Sequence, residues 1–221
     1  LLAGDAAAER VGIVEAGVAL PLGPFDLAVR AQALERREPR LLLLDPDVAR
    51  FVTGDGAFRS AVATLALGWR RAAARGLYAE AEANAHAFLD ADATPLHARA
   101  AGALPDGWGR VRLGVRGRNL FDGALDLDLA LQGRGWTAFR GRGLHAPTAL
   151  YGLPPPTAAP VPASGTLDGS VEASLGGGRA RVFVVYENAL GGRVGDPAYV
   201  VPVYPLPGPR LRFGVFWVLA N

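Results

Sequence analysis

The sequence predicts an all-β chain, a transmembrane antiparallel β-barrel of about ten strands, and three observations lead there. Apolar and polar residues alternate with period two along most of the chain, as they do in strands whose two faces meet different surroundings. Most of the alternating runs are roughly eight to twelve residues long, with two of seven. That matches the ~9–11 a tilted strand needs to cross a bilayer and exceeds the globular mode of about 5–6. The polar positions hold acids, Arg, Gly, Ser and Asn, the mixture expected inside a barrel rather than on a sheet bathed in bulk water.

Taken in order, Val14 to Leu20 and Phe25 to Leu34 are the first expected strands, separated by the turn Pro21-Leu22-Gly23-Pro24. A long loop from Arg36 to Arg59 precedes Ala61 to Trp69. In Leu77 to Phe88 the odd positions are Leu77 and Ala, while the even ones carry Tyr78, Glu80, Glu82, Asn84 and His86. Alanine favours helices, yet a helix scatters those polar residues around its circumference whereas a strand gathers them on one face. Leu96 to Leu104 is the next expected strand and ends at Pro105-Asp106-Gly107. Arg110 to Arg116 then sets Arg112 and Arg116 against Leu113 and Val115. After a turn at Asn119 to Gly123, Leu125 to Gln132 carries Asp126 and Asp128 on its polar face. Residues Gly133 to Gly165 read as a long loop. Leu167 to Leu175, the turn Gly176-Gly177-Gly178, Ala180 to Glu187, a loop from Asn188 to Arg210 and Leu211 to Leu219 complete the series.

Composition narrows the function. The formal charge is only +2, all 23 basic residues are Arg, and they are interspersed with 21 acids. That excludes a chain whose whole surface is built for nucleic acid. The absence of Cys removes disulfides, thiolate metal sites and cysteine nucleophiles. The heavy use of Ala, Gly, Pro, Leu and Arg looks like the codon bias of a GC-rich bacterial genome. The longest uncharged stretch, Leu144 to Gly165, is broken by six prolines, so no transmembrane helix is expected. Leu1 to Asp5 lacks a charged lead and a long apolar core, and the chain reads as one domain over residues 1–221, a mature or truncated piece.

Chemistry-bearing patterns are scarce. His86, His97 and His145 show no metal spacing, and Ser170 lacks a nucleophile elbow. Gly133-Arg134-Gly135 and Gly141-Arg142-Gly143 match no phosphate loop. Asp126 with Asp128 and Glu80 with Glu82 each place two carboxylates about 7 Å apart on one strand face. They read as a charged lumen wall answered by Arg112, Arg116 and Arg118 of a neighbouring strand. The expected lumen-facing set is therefore Glu80, Glu82, Asn84, His86, Arg112, Arg116, Asp126 and Asp128. No catalytic residue, metal or cofactor is assigned, and the chain is not expected to be an enzyme.

Val182 to Leu190, with Glu187-Asn188-Ala189-Leu190 at its end, and then Tyr204-Pro205-Leu206-Pro207-Gly208 leading into Leu211 to Leu219, resemble the end of TonB-dependent outer-membrane receptors. Arg10 to Val18, with Glu15-Ala16-Gly17, is similar to an earlier strand of that family. The resemblance implies the C-terminal part of a larger plugged barrel in the outer membrane of a Gram-negative bacterium, importing a siderophore, cobalamin or an oligosaccharide. It also implies four partners: outer-membrane lipid, the barrel-assembly machinery, a small-molecule ligand, and a TonB-type periplasmic energy coupler acting through a plug that this sequence does not show. Phe213, Gly214, Val215, Trp217 and Leu219 would form the assembly signal, although Phe216 and Val218 make the inward face more apolar than the family usually has. The alternatives are a small autonomous outer-membrane pore or adhesin barrel and a soluble β-sandwich binding module. One conflict stands. If the C-terminus is periplasmic, counting back through ten strands puts the long Arg36 to Arg59 loop on the periplasmic side, whereas long loops belong outside. Either Leu125 to Gln132 lies in an outer-loop hairpin or the count is off by one strand.

Overall fold

The computed structural model describes residues 9–45, 48–71, 73–145, 150–191, 199–201, 204–205 and 207–217. Strands β1 (Arg10–Leu22) and β2 (Phe25–Arg37) are followed by a small hairpin, β3 (Arg40–Asp45) and β4 (Val48–Thr53), and then by β5 (Ala57–Trp69) and β6 (Arg75–Phe88). A short helix, α1 (Pro95–Ala101), precedes β7 (Gly107–Leu120) and β8 (Leu125–Trp136). The pair β9 (Gly143–His145) and β10 (Leu150–Gly152) leads to β11 (Ser164–Leu175) and β12 (Ala180–Glu187). Finally β13 (Tyr199–Val201) and β14 (Tyr204–Pro205) precede β15 (Arg210–Trp217).

Nine of these strands form one sheet in the order β1-β2-β5-β6-β7-β8-β11-β12-β15, every neighbouring pair antiparallel. The protein is thus nearly all antiparallel β. The sheet is open, with β1 and β15 as its two edges. Ahead of β1, Arg36 donates to Glu9 at 2.5 Å, and this bond holds the Glu9 carboxyl below the usual carboxylate range.

One expected strand is a helix. Leu96 to Leu104 alternates apolar and polar residues over its first positions, but α1 occupies Pro95–Ala101 there. The local chemistry explains why: the Thr94 hydroxyl accepts from the His97 N–H, Pro95 stands in the first turn and Gly102 closes the end. Removing that strand resolves the conflict of loop lengths. The short connections, at residues 23–24, 70–74, 121–124 and 176–179, now all lie at one end of the sheet, and the long ones, at 38–56, 89–106, 137–163 and 188–209, all lie at the other. The tightest connection is the two-residue turn between Leu22 and Phe25, where Gly23 adopts φ 66°, a left-handed conformation that costs glycine little.

The register fixes two unlike faces. Leu113, Leu129, Leu131, Val171 and Val184 share one face with Phe213 and Val215. Glu82, Arg112, Gln132 and Asp168 share the other. Burial is inverted relative to a water-soluble sheet: Leu113 and Leu131 are 55% and 57% exposed, while Tyr78 and His86 on the polar face are 3% and 8% exposed. Phe25 lies directly opposite Trp69 on the apolar face at the short-turn end, and Trp217 ends β15 at the same level.

The buried apolar cluster lies among the long loops instead. Leu43, Ala103 and Leu153 are its centre, with Leu41, Val52, Leu96 and Ala100 packed against them. Backbone bonds stitch it together: Leu44 N–H donates to the Leu153 carbonyl at 2.9 Å, and Leu153 N–H to the Leu42 carbonyl at 2.7 Å. From α1, Arg99 donates to the carbonyls of Pro154 at 2.9 Å, Leu153 at 2.8 Å and Leu44 at 3.3 Å. His97, 3% exposed, stacks on Phe58 with ring centroids 3.9 Å apart.

Candidate functional site

The polar face is built around one network across β6, β7 and β8. Tyr78 Oη donates to Asp128 Oδ1 at 2.7 Å, and Arg112 Nε donates to the same phenol oxygen at 3.0 Å. Arg116 Nε reaches Asp128 Oδ2 at 2.8 Å, and its guanidinium lies 4.5 Å from the Tyr78 ring centroid. Gly114 makes room for this, because a Cβ at that position would sit 2.4 Å from Tyr78 Cζ. Two cations around one carboxylate and one aromatic ring form a cross-strand brace that carries one net positive charge. The brace has no spare nucleophile or base.

The other expected residues fall on the same face with different partners. Glu82 accepts from Arg110 at 3.0 Å and from the Asn84 amide at 3.1 Å, while Thr64 donates to Asn84 Oδ1 at 2.7 Å. Glu80 pairs with Arg71 at 3.5 Å. The β6 acids are therefore answered by Arg110 and Arg71, not by Arg112, Arg116 or Arg118. Asp126 also departs from the expected wall pattern: its Oδ1 accepts the Asn119 N–H at 2.7 Å and fastens the short turn. His86 is buried on the polar face, and its Nδ1 has no hydrogen-bond partner among the described residues. His97 is a keystone of the loop cluster, and the His145 side chain lies outside the described residues. Among the described residues no group of three or more potential ligands is placed to hold a metal ion.

At the loop end of the same face, β8, β11 and β12 surround a recess of about 280 Å³. Asp168 forms its floor, accepting from Arg134 and from the Asn188 N–H, the latter at 2.8 Å. Glu187 accepts from Arg210 and, at 2.7 Å, from Arg212. Asn188, at φ 50°, turns its amide to the Pro207 carbonyl at 2.8 Å. The Glu187-Asn188 and Pro207-Gly208 motifs thus have a structural cause: they tie the return of the chain into β15. Arg134, Trp136 and Thr166 escaped the sequence reading because Gly133 and Gly135 suggested a loop. The even-numbered polar positions of β8 in fact continue through Arg134 to Trp136.

Of the expected assembly-signal residues, Phe213, Val215 and Trp217 line the apolar face, 77%, 66% and 65% exposed. Gly214 faces the other way, where a Cβ would sit 2.6 Å from Phe183 Cζ. Leu219 lies outside the described residues.

The chain has distant structural relatives among solved proteins. It is similar to the FrpB iron transporter from Neisseria meningitidis, F3-3 variant, with a TM-score of 0.61 and 17% identity over 96% of this chain and 32% of that one. The F5-1 variant in its apoprotein form gives a TM-score of 0.61 at 16% identity, over 96% of this chain and 31% of that one. The relationship is distant and is one of fold. The chain spans about a third of the length of those structures. No protein-family model and no curated protein matches it.

Proposed function

We propose that this chain is a wall segment of an outer-membrane β-barrel receptor of the TonB-dependent type, which takes up a scarce nutrient such as a siderophore, cobalamin or an oligosaccharide. The observation that carries the reading is the inverted sheet. One face is apolar and open, the other is polar and internally braced, and every long connection lies at one end. Lipid is the solvent that such an apolar face fits. In this reading the long-loop end faces outward, Trp69 and Trp217 settle at the periplasmic interface, and Phe213 to Trp217 act as part of the assembly signal. The chain supplies wall and loops rather than catalysis, and a plug and a periplasmic energy coupler complete the machine.

The two unpaired edges, β1 and β15, favour a larger barrel over an autonomous nine-stranded one, since a spanning sheet must satisfy every backbone group internally. A soluble sandwich needs a second sheet over the apolar face, and among the described residues that face is exposed. The test is fractionation of the native source, followed by detergent extraction and intact-mass determination. A detergent-requiring outer-membrane species several times heavier than this chain is expected. A 23.0 kDa species folded without detergent overturns the reading.

A further inference from the structure

The loop-end recess has more donors than its own acceptors can use. Both carboxylates there are engaged: each oxygen of Asp168 and of Glu187 already accepts one hydrogen bond, from an arginine or from the Asn188 N–H. Arg134 and Arg210 line the recess against those two carboxylates, and Arg212, outside the lining, also pairs with Glu187, so it is the wider cluster with Arg212 that carries a net positive charge. Each guanidinium has five N–H groups, more than one carboxylate can accept. The Arg134 and Arg210 side chains are 52% and 53% exposed.

Two further groups lining the recess have no partner among the described residues, Trp136 Nε1 and Thr166 Oγ1, and both atoms are buried. The register makes them diagonal neighbours, because Trp136 lies opposite Ser164 and Thr166 opposite Arg134. An indole N–H can only donate, and a buried donor left unpaired is destabilising. What is missing from this arrangement is an acceptor, and the net charge favours an anionic one.

We propose that this recess is a binding site for an oxyanion, a carboxylate or phosphate group carried by a small molecule that arrives at the loop end. Trp136 and Thr166 donate to its oxygens, and Arg134 and Arg210 supply the charge. At about 280 Å³ the recess admits such a group and leaves the rest of the molecule in the mouth of the barrel. The assignment rests on the transporter reading for the direction of arrival.

The experiment uses the whole receptor, extracted in detergent from outer membranes and labelled with 5-fluorotryptophan. Its Trp136 resonance is assigned through Trp136→Phe or, if that variant does not assemble, through the peak that responds to Thr166→Val. Sodium phosphate and sodium acetate are titrated against sodium chloride at equal ionic strength and against glucose. The expected result is a saturable shift of the Trp136 resonance with phosphate or acetate, half-complete on the order of 1 mM, and absent with chloride and glucose. Thr166→Val weakens it several-fold, and Arg134→Gln with Arg210→Gln weakens it about ten-fold or more. An equal response to chloride, a response to glucose, or no response to any probe overturns the site. The last result is also what a carboxylate from elsewhere in the same protein, already seated in the recess, produces. In each of these cases recovery from the outer-membrane fraction leaves the transporter reading standing. Recovery of the chain as a species folded without detergent overturns that reading instead.

Discussion

Tyr78 and Gly114 show how single side chains decide the shape of the wall. A large ring lies flat over a residue with no side chain, and its hydroxyl joins the carboxylate two strands away. The even positions of β6 announce a polar face, but nothing in the sequence announces that Tyr78 needs Gly114, because the pairing is set by register across strands. Gly114→Val places a carbon 2.4 Å from Tyr78 Cζ and is expected to destabilise the folded wall by about 1–3 kcal/mol. Urea unfolding of the purified protein in micelles measures the loss. Gly114→Val combined with Tyr78→Ala should recover part of it, and a purely additive loss contradicts the contact.

At the level of elements, the two faces predict opposite tolerance to charge. Leu113→Arg puts a cation on the apolar face and should cost about 2–4 kcal/mol if it lies near the bilayer midplane. Gln132→Arg, on the neighbouring strand but on the polar face, should be close to neutral. The yield of assembled protein in outer membranes reads the difference, and equal tolerance contradicts the assignment of faces. Period-two alternation made nine of the ten expected strands legible, because a strand whose two faces meet unlike surroundings must alternate throughout. It failed at Leu96 to Leu104. There Leu96, His97, Ala98 and Arg99 mimic the alternation, while the Thr94 cap, Pro95 and a run of alanines decide for a helix. The candidate site was less legible. Arg110 and Arg71 came from a register the sequence does not state, and the β8 positions forming the recess were hidden by glycines that a strand tolerates.

That helix belongs to a loop cluster with its own apolar centre, which Arg99 pins through three carbonyls of two other segments. Arg99→Gln is expected to release the β3–β4 hairpin from α1 while leaving the sheet intact. Hydrogen exchange of the backbone amides checks this: residues 40–45 and 150–154 should exchange at least several-fold faster, and β7 and β8 at an unchanged rate. Unchanged loop protection contradicts the pinning role.

For the molecule as a whole, the proposed arrangement is a single curtain of strands between lipid and a polar interior. A water-soluble protein of this length buries its apolar side chains; here the broad apolar face of the sheet is open and the compact apolar cluster sits in the loops. The chain contains no Cys, so within it one introduced cysteine can carry a spin label without competition. Leu113→Cys and Gln132→Cys are labelled separately in the protein placed in lipid bilayers, and collision with oxygen, which concentrates in lipid, is compared with collision with a water-soluble nickel chelate. The label at 113 is expected to meet oxygen and to be shielded from nickel, and the label at 132 to meet nickel. Equal access of nickel to both positions contradicts that arrangement.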